Sequence, residues 1–351
     1  MNGEILNKID ELRDCFEDDR DSSQSNAMKG GYNKYYYGAP GCGKSFYVQK
    51  MLEEYGVIED DIFRVTFHPE YSNSDFVGQI LPTIEDVVDD SGAKIGEKVK
   101  YIFNPGPFTK ALLRSYQVDN MVYLVVEELN RGNASAIFGD LFQLLDRVDE
   151  VDDPRFSESR YPITNVNVHK YIKDELAKLG KEFRDHDIII PSNLTILATL
   201  NTSDQNVFTL DTAFKRRWLA EGLSNDIEKD TDHKYKAWFI PGTNITWEKF
   251  LTKLNDKILD YKVENSTSED KRLGKYFVNK SCLTETAKVI GDCKDEANNF
   301  AYKVLEYIWN DVCKYGQSDW FNTKKYRTLE ELLDGFMTEQ LAVFETIDFN
   351  E

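Results

Sequence analysis

A glycine-rich segment that runs from Gly38 to Ser45 has the residue types and spacing needed to bind a phosphate chain. Its glycines let the backbone turn several N–H groups toward phosphate oxygens, and Lys44 places positive charge beside the outer phosphates. The hydroxyl of Ser45 is suited to ligate Mg²⁺. The segment matches the P-loop pattern GxxxxGK[ST] and predicts a site for a nucleoside triphosphate with Mg²⁺. The residues expected to contact the nucleotide are Gly38, Ala39, Pro40, Gly41, Cys42, Gly43, Lys44 and Ser45.

Two adjacent carboxylates, Glu127 and Glu128, end the apolar run MVYLVVEE at residues 121–128. In a P-loop fold this position carries an acid that holds the metal and a base that activates water. We expect Glu127 to hold Mg²⁺ through a water molecule and Glu128 to orient and deprotonate the attacking water. The alternative is a solvated charge pair at the end of a strand. The P-loop upstream favours the catalytic interpretation.

Polar side chains that could act on the outer phosphate follow in the stretch LATLNTSD. Asn201 ends an apolar run where it can contact the γ-phosphate or the lytic water, and Asp204 follows in the same turn. An ordinary turn or helix cap would have the same sequence. Further on, TAFKRRW places Arg216 and Arg217 on a short predicted helix, from which they could reach a neighbouring subunit's nucleotide. A solvated basic face is the alternative.

The elements around these residues alternate between strand and helix. A short aromatic strand from Tyr35 leads into the P-loop, and SFYVQKMLEEYG after it has the length and composition of a helix. Further β-type runs, separated by helical or looped stretches, indicate an α/β fold with a parallel sheet flanked by helices. The runs are 62–67, 121–128 and 194–201, and continuous apolar character predicts that the last two are central strands.

Three regions are expected along the chain. Residues 1–34 predict an N-terminal helix and a polar linker, and residues 35–223 predict the α/β nucleotide-binding domain. That domain has insertions near 82–107, where a hairpin is expected, and near 150–187, which includes a charged helix. Residues 224–351 predict a mainly helical C-terminal domain, with EANNFAYKVLEYIWNDVCKYG among its clearest amphipathic stretches.

The composition restricts the partners and the compartment. Lysine and arginine total 43 against 62 aspartates and glutamates, which gives a formal net charge of −19 and opposes general attraction to DNA backbones. No run approaches roughly 18 apolar residues, and the N-terminus lacks an export signal. We therefore expect a cytoplasmic protein that makes no contact with membranes. Five cysteines and four histidines are scattered, which indicates reduced thiols and no zinc site.

Longer stretches of the sequence are more specific than the P-loop motif alone. Together they resemble the McrB family of AAA+ GTPases, the motor subunits of McrBC-type restriction systems, over roughly residues 35–220. This likeness implies an AAA+ P-loop fold with a helical C-terminal lid. The stretches are FHPEYSNSDFVGQI at 67–80, NPGPFTKAL at 104–112, EELNRGNASAIFGDLFQLLD at 127–146 and IPSNLTILATLNTSDQNVFTLDTAFKRRW at 190–218.

The resemblance also implies how the site is assembled. Family members form hexameric rings with nucleotide between neighbouring subunits, so Asn201 would be a sensor and Asp204 would join the same site. Arg216 or Arg217 would act in trans as the arginine finger. The family points to GTP, and ATP stays open because the P-loop reads neither base. A separate McrC-like subunit would carry the nuclease and stimulate turnover.

Two departures from the family pattern bear on function. The metal-side acid is Glu127 where most P-loop enzymes carry aspartate, and we expect hydrolysis to survive the longer side chain. About 34 residues precede the first strand, too few for the DNA-reading domain that such proteins commonly carry. We therefore expect contact with DNA mainly through the complex. The chain alone should bind duplex DNA weakly and without preference for methylated sites.

Two other functions are open on the sequence alone. The chain could be a nucleotide-gated assembly module that forms a ring but has little intrinsic turnover. It could also be a MoxR-like chaperone ATPase, since such rings share the P-loop and an insertion-bearing sheet. The ELNRGN and FKRRW segments favour the restriction motor over the chaperone.

Overall fold

The computed structural model describes seven stretches of the chain. The N-terminal helix expected within residues 1–34 and the predicted site residue Asp204 lie outside the described residues. The described stretches are 30–90, 94–183, 187–201, 208–230, 233–261, 271–314 and 316–349.

The described residues form two compact units. The first unit contains 30–36, the described residues of 45–200, and 208–221. The second unit contains 37–44, Asn201 and the described residues of 222–349. The P-loop up to Lys44 therefore belongs to the same compact unit as the C-terminal part of the chain.

A five-stranded sheet and a two-stranded sheet account for the strands of the described residues. The strands are β1 (Asn33–Gly38), β2 (Ile62–Thr66), β3 (Gly78–Val88), β4 (Lys94–Pro105), β5 (Val122–Glu127), β6 (Leu194–Asn201) and β7 (Leu219–Gly222). The larger sheet has the order β2, β5, β6, β1, β7, with β5 parallel to both of its neighbours. All of β6 is buried, as is β5 up to its last residue. The predicted α/β fold with two central apolar strands is confirmed.

Helices flank the sheet and build the C-terminal region. They are α1 (Lys44–Glu54), α2 (Asn73–Val77), α3 (Pro107–Gln117), α4 (Ala134–Phe138), α5 (Val166–Lys178), α6 (Thr212–Lys215), α7 (Trp247–Asp260), α8 (Lys294–Phe300) and α9 (Leu329–Glu339). The side chains of Asn165, Thr246 and Thr328 cap α5, α7 and α9 by accepting a hydrogen bond from a backbone N–H of the first turn. Within the described residues, no helix is long and apolar enough to cross a bilayer.

An aromatic cluster in the first unit connects three short helices beside the sheet. The ring of Phe138 in α4 lies 5.0 Å from Phe76 in α2 and 5.4 Å from Phe214 in α6, measured between centroids. Trp218 stacks on Phe214 at 5.6 Å, just beyond α6. Burial of each such ring contributes about 1.5–3 kcal/mol. The cluster therefore fixes the segment that carries the two predicted arginines.

The insertion near residues 82–107 is an antiparallel hairpin of β3 and β4, as the sequence predicted, although it begins a few residues earlier. Ile84 and Tyr101 lie on one face and are 68% and 70% exposed. Glu85 on the opposite face forms an ion pair with Lys100 at 3.1 Å. The hairpin of β3 and β4 thus has one apolar face and one charged face.

The C-terminal region of the second unit is mainly helical, as expected. Its core includes Phe250 of α7, Phe300 of α8 and Phe336 of α9, with Phe300 centred 5.4 Å from each of the other two rings. The stretch predicted as an amphipathic helix begins as α8 and continues through π-helical turns at Ala301–Leu305 and Ile308–Val312.

A half-buried arginine, Arg147, connects three segments of the first unit. Its guanidinium donates to Asn33 Oδ1 at 2.9 Å, to Ser157 O at 2.9 Å and to Leu194 O at 2.9 Å. These acceptors lie at the start of β1, in the loop after α4 and at the start of β6. Burial lowers the pKa of the Arg147 guanidinium below its usual range. The side chain thus joins the N-terminal ends of β1 and β6.

Replacing Arg147 should destabilise the first unit. Arg147→Met keeps most of the side-chain volume but leaves two buried carbonyl oxygens and the Asn33 amide oxygen without their donor. We expect a loss of about 2–4 kcal/mol in the free energy of unfolding, measured by urea denaturation. Arg160→Met is the control, because Arg160 pairs with Asp149 at the surface and should change stability by less than about 1 kcal/mol. Equal effects of the two substitutions would contradict this account.

Candidate nucleotide-binding site

The P-loop follows β1 and leads directly into α1, as the sequence predicted. Gly41 and Gly43 have φ angles of 76° and 96°, which favour glycine because a Cβ atom is strained there. Lys44 is buried, and its ammonium donates to the carbonyl oxygens of Gly38 at 3.0 Å and Ala39 at 3.2 Å. The loop therefore curls around the ammonium group that is expected to meet the outer phosphates.

The predicted metal ligands Ser45 and Glu127 are brought together within the first unit. The Ser45 hydroxyl, in the first turn of α1, donates to Glu127 Oε2 at 2.7 Å. A hydroxyl and a carboxylate are oxygen ligands of the kind that Mg²⁺ prefers, and Mg²⁺ needs only one or two from the protein when phosphates and waters supply the rest. The residues present therefore fit a nucleotide-bound Mg²⁺.

Two residues that the sequence analysis missed complete the surroundings of the Glu127 carboxylate. The hydroxyl of Thr199 in β6 donates to Oε2 at 2.6 Å, and the guanidinium of Arg64 in β2 donates to Oε1 at 2.9 Å. Only 12% of the Glu127 side chain is exposed. A signal for each existed: Arg64 interrupts the apolar run IFRVTF, and Thr199 lies on the same face of its strand as Asn201.

Glu128 has a backbone conformation that is rare for its residue type. Its φ and ψ angles are 56° and 46°, in the left-handed region, so the chain turns sharply where β5 ends. Its N–H donates to the hydroxyl of Thr199 at 3.2 Å, and its carboxylate forms an ion pair with Arg131 at 3.1 Å. Thr199 therefore contacts both consecutive glutamates, whose side chains differ in direction because of this turn.

Asn201 is the last residue of β6, and 8% of it is exposed. Since β5 and β6 are parallel neighbours, their carboxyl ends reach the same edge of the sheet. The structure thus places the predicted sensor at the end of the strand that also carries Thr199. Asp204, predicted for the same site, is outside the described residues.

The two predicted arginines differ in their surroundings. Arg217 forms an ion pair with Asp146 at 2.6 Å and stacks on the ring of Phe142 at 3.9 Å, with 8% of its side chain exposed. Arg216 is exposed, and its guanidinium has no hydrogen bond or ion pair with any residue that the structure describes. Of the two, Arg216 is the side chain available to another molecule.

The cap of α6 contributes to the position of these arginines. The carboxylate of Asp211 accepts a hydrogen bond from the Phe214 N–H at 2.6 Å and another from the Ser135 hydroxyl at 3.0 Å. These hydrogen bonds, that from Phe214 foremost, hold the pKa of Asp211 below its usual range. The cap is therefore ionised at neutral pH and links α6 to α4.

A cavity of about 730 Å³ opens in the second unit beside the beginning of the P-loop. Its volume suits a ligand of the size of a purine nucleoside. Three carboxylates lie along it, and that of Asp226 is engaged by Lys229 at 2.8 Å, which holds its pKa below the usual range. The lining residues include Tyr37, Gly38, Ala39, Asp226, Glu228, Asp256 and Arg272.

Comparison with protein families identifies the fold that holds this site. A family model described as an AAA domain of the dynein-related subfamily matches residues 36–218. The chain belongs to this family. The AAA domain covers the P-loop, the Glu127 and Glu128 pair and both arginines, and it makes the chain a nucleoside-triphosphate hydrolase.

Two curated relatives are similar over different lengths. The component YdiS of the type II restriction enzyme BsuMI from Bacillus subtilis (strain 168) is 34% identical, covering 86% of this chain and 86% of that protein. The EcoKMcrB subunit of a type IV methyl-directed restriction enzyme from Escherichia coli (strain K12) is 24% identical, covering 52% of this chain and 33% of that protein. A solved structure of a protein from Cytophaga hutchinsonii aligns over 99% of this chain and 90% of its own, with 12% identity and a TM-score of 0.28.

Removing the hydroxyl of Thr199 should slow hydrolysis by this AAA domain. Thr199→Val keeps the side-chain shape but removes the donor to Glu127 and the acceptor of the Glu128 N–H. We expect kcat to fall about 10–100-fold, because groups that orient metal ligands typically contribute that much. Phosphate release at saturating nucleotide would measure it.

The matched control for this experiment is Thr195→Val on the same strand. The Thr195 hydroxyl is buried and has no hydrogen-bond partner in the described part of the chain, so its removal costs no bond. Thr195→Val should keep the activity of the unmodified protein. Equal activity of the two variants would refute the role given to Thr199.

Proposed function

We propose that this chain is the motor subunit of a restriction complex that cuts DNA through a separate, McrC-like nuclease. The proposal rests on two observations taken together. A restriction-enzyme component is similar over 86% of the chain, and the Ser45 and Glu127 pair is positioned for a metal next to Glu128. The relatives are themselves a component and a subunit of restriction enzymes, which supports the assignment of cleavage to another protein. DNA is contacted mainly through the complex.

The site residues have distinct parts in the proposed reaction. The P-loop N–H groups and Lys44 bind the phosphates. Ser45, and Glu127 through a water molecule, would hold Mg²⁺, which would supply positive charge beside the phosphates. Thr199 and Arg64 orient the Glu127 carboxylate. Glu128 orients the attacking water and accepts its proton, so that a P–O bond of the γ-phosphate breaks in line with the attack. Asn201 acts as the sensor of the γ-phosphate, together with Asp204.

GTP is the favoured substrate and ATP the alternative. Guanine presents two adjacent donors, N1–H and the N2 amino group, and a carboxylate can accept both at once. Adenine presents one donor beside an acceptor. Since Glu228 and Asp256 line the cavity beside the P-loop while Asp226 is engaged by Lys229, an acidic cavity of this kind suits guanine better.

The exposed position of Arg216 supports the proposed ring assembly. A P-loop ATPase or GTPase needs a cation at the transferred phosphate, and Arg216 is exposed at the surface of the first unit. We assign it as the finger that acts on the nucleotide of a neighbouring subunit, and we propose that the ring is a hexamer. Arg217, held by Asp146, instead keeps this segment in position.

The decisive measurement of the proposed function is phosphate release with GTP and with ATP, alone and with a McrC-like protein from the same organism. We expect GTP turnover that the partner raises and that Lys44→Ala abolishes, because Lys44 is the phosphate-binding cation. Turnover of ATP alone that ignores the partner would contradict the proposal and favour a chaperone ATPase. Nucleotide binding and ring formation without turnover in any mixture would favour an assembly module.

Complementation between inactive variants tests the role of Arg216 in trans. Arg216→Ala should lower kcat by about 10³-fold, since an arginine finger contributes at least that much. Glu128→Gln should also be inactive, but its Arg216 is intact. Mixed rings should therefore recover turnover at sites where an Arg216→Ala subunit receives Arg216 from a Glu128→Gln neighbour.

The control variant for Arg216 is Lys215→Ala, which removes the neighbouring exposed cation of the same segment. It should keep full activity. If Arg216→Ala is as active as Lys215→Ala, or if mixtures with Glu128→Gln stay inactive, Arg216 does not act between subunits.

A further inference from the structure

A short segment of the second unit, Gly274–Phe277, lies directly on the P-loop. The N–H of Gly274 donates to the carbonyl oxygen of Pro40 at 2.9 Å, and the N–H of Tyr276 donates to the carbonyl oxygen of Gly41 at 2.8 Å. Two backbone hydrogen bonds thus connect the loop to a segment far along the chain, which we call the clamp segment. Both partners belong to the same compact unit.

Glycines at the contact allow the two backbones to approach this closely. A Cβ atom at Gly43 would lie 2.8 Å from the ring of Tyr276, and one at Gly41 would lie 2.9 Å from Cα of Phe277. A Cβ atom at Gly274 would overlap the carbonyl carbon of Gly41. The P-loop glycines therefore have a second role besides phosphate binding, since they leave room for the clamp segment.

Side chains of the second unit also hold the clamp segment in place. The carboxylate of Asp230 accepts from the ammonium of Lys275 at 2.7 Å and from the hydroxyl of Tyr276 at 2.8 Å. Asn225 Oδ1 accepts from the N–H of Lys275 at 2.9 Å. The ring of Tyr276 also stacks on His233 with centroids 4.6 Å apart.

His233 adds a hydrogen bond whose direction can be assigned. Its Nδ1 accepts from the N–H of Tyr235 at 3.2 Å, so Nε2 carries the proton and donates to the carbonyl oxygen of Lys275 at 2.7 Å. The indole N–H of Trp247 donates to the same oxygen at 2.9 Å. The clamp segment is therefore fixed independently of the P-loop and can act as a rigid support for it.

The hydrogen bonds explain how the loop keeps a phosphate-binding shape. An anion-binding loop must direct its N–H groups inward, which requires that its carbonyl oxygens find donors elsewhere. Lys44 supplies donors to Gly38 and Ala39, and the clamp segment supplies them to Pro40 and Gly41. Four consecutive carbonyl groups are satisfied in this way.

We propose that the clamp segment Gly274–Phe277 positions the P-loop for nucleotide binding. It is a positioning element, since it acts through the loop backbone. The contact between the P-loop and the clamp segment should raise nucleotide affinity by some factor. By thermodynamic linkage, a bound nucleotide must then stabilise that contact by the same factor. The proposal rests on nucleotide binding by the P-loop and is independent of GTP preference, ring size and the nuclease partner.

The test compares two glycine variants of the second unit. Gly274→Ala places a methyl group against Gly41, whereas Gly291→Ala is the control because nothing lies within 4 Å of the added atom. We expect the affinity for a fluorescent non-hydrolysable GTP or ATP analogue to fall tenfold or more, up to about 10²-fold, in Gly274→Ala only. Unchanged affinity of a folded Gly274→Ala would overturn the proposal.

A second measurement decides the case if Gly274→Ala fails to fold. Amide hydrogen exchange of the unmodified protein, read on peptides that cover Gly274–Phe277, should slow when the analogue binds. Peptides from α9 should serve as the internal reference. Binding of the analogue without slower exchange in the clamp segment would overturn the proposal, whereas absence of binding would refute the nucleotide site itself.

Discussion

The carboxylate of Glu127 joins the elements on which the site depends. It accepts hydrogen bonds from Ser45 at the start of α1, from Thr199 on one neighbouring strand and from Arg64 on the other. A carboxylate that is 12% exposed is stable in this position only because each oxygen has a donor. These contacts therefore hold the start of α1 against the carboxyl end of β5. They also orient Glu128, the residue after Glu127, because the Thr199 hydroxyl accepts a hydrogen bond from the Glu128 N–H.

The P-loop is also held by two sets of donors. Its own Lys44 and the distant clamp segment each donate hydrogen bonds to its carbonyl oxygens. Local contacts set the curl of the loop, whereas Gly274 and Tyr276 constrain its carbonyl groups from a distant part of the chain. Such non-local contacts cost loop-closure entropy, which the packing of the assembled unit has to offset. The shape of the phosphate site therefore depends on the fold of the second unit as well as on the P-loop sequence.

Sequence patterns predicted the parts of this protein that depend on local spacing. Continuous apolar runs indicated β5 and β6 as central strands, and the P-loop and the two glutamates were recognisable from adjacent residues alone. Local patterns set Arg64 and Thr199 apart from their apolar neighbours, but that both contact Glu127 depends on strand order, which no local pattern encodes. Burial of Arg217 against Asp146 depends equally on tertiary contacts, so the sequence could not separate it from Arg216. The four-residue β7 was too short to give a periodic signal.

The left-handed backbone of Glu128 has a consequence for how this position can vary. An L-residue with a φ angle of 56° is strained relative to glycine by roughly 1 kcal/mol, and asparagine tolerates the conformation better than glutamate does. Selection for thermal tolerance alone would thus move position 128 toward glycine or asparagine. Glutamate at this turn therefore lowers the stability of the fold, and in return a carboxylate stands at the end of a buried strand.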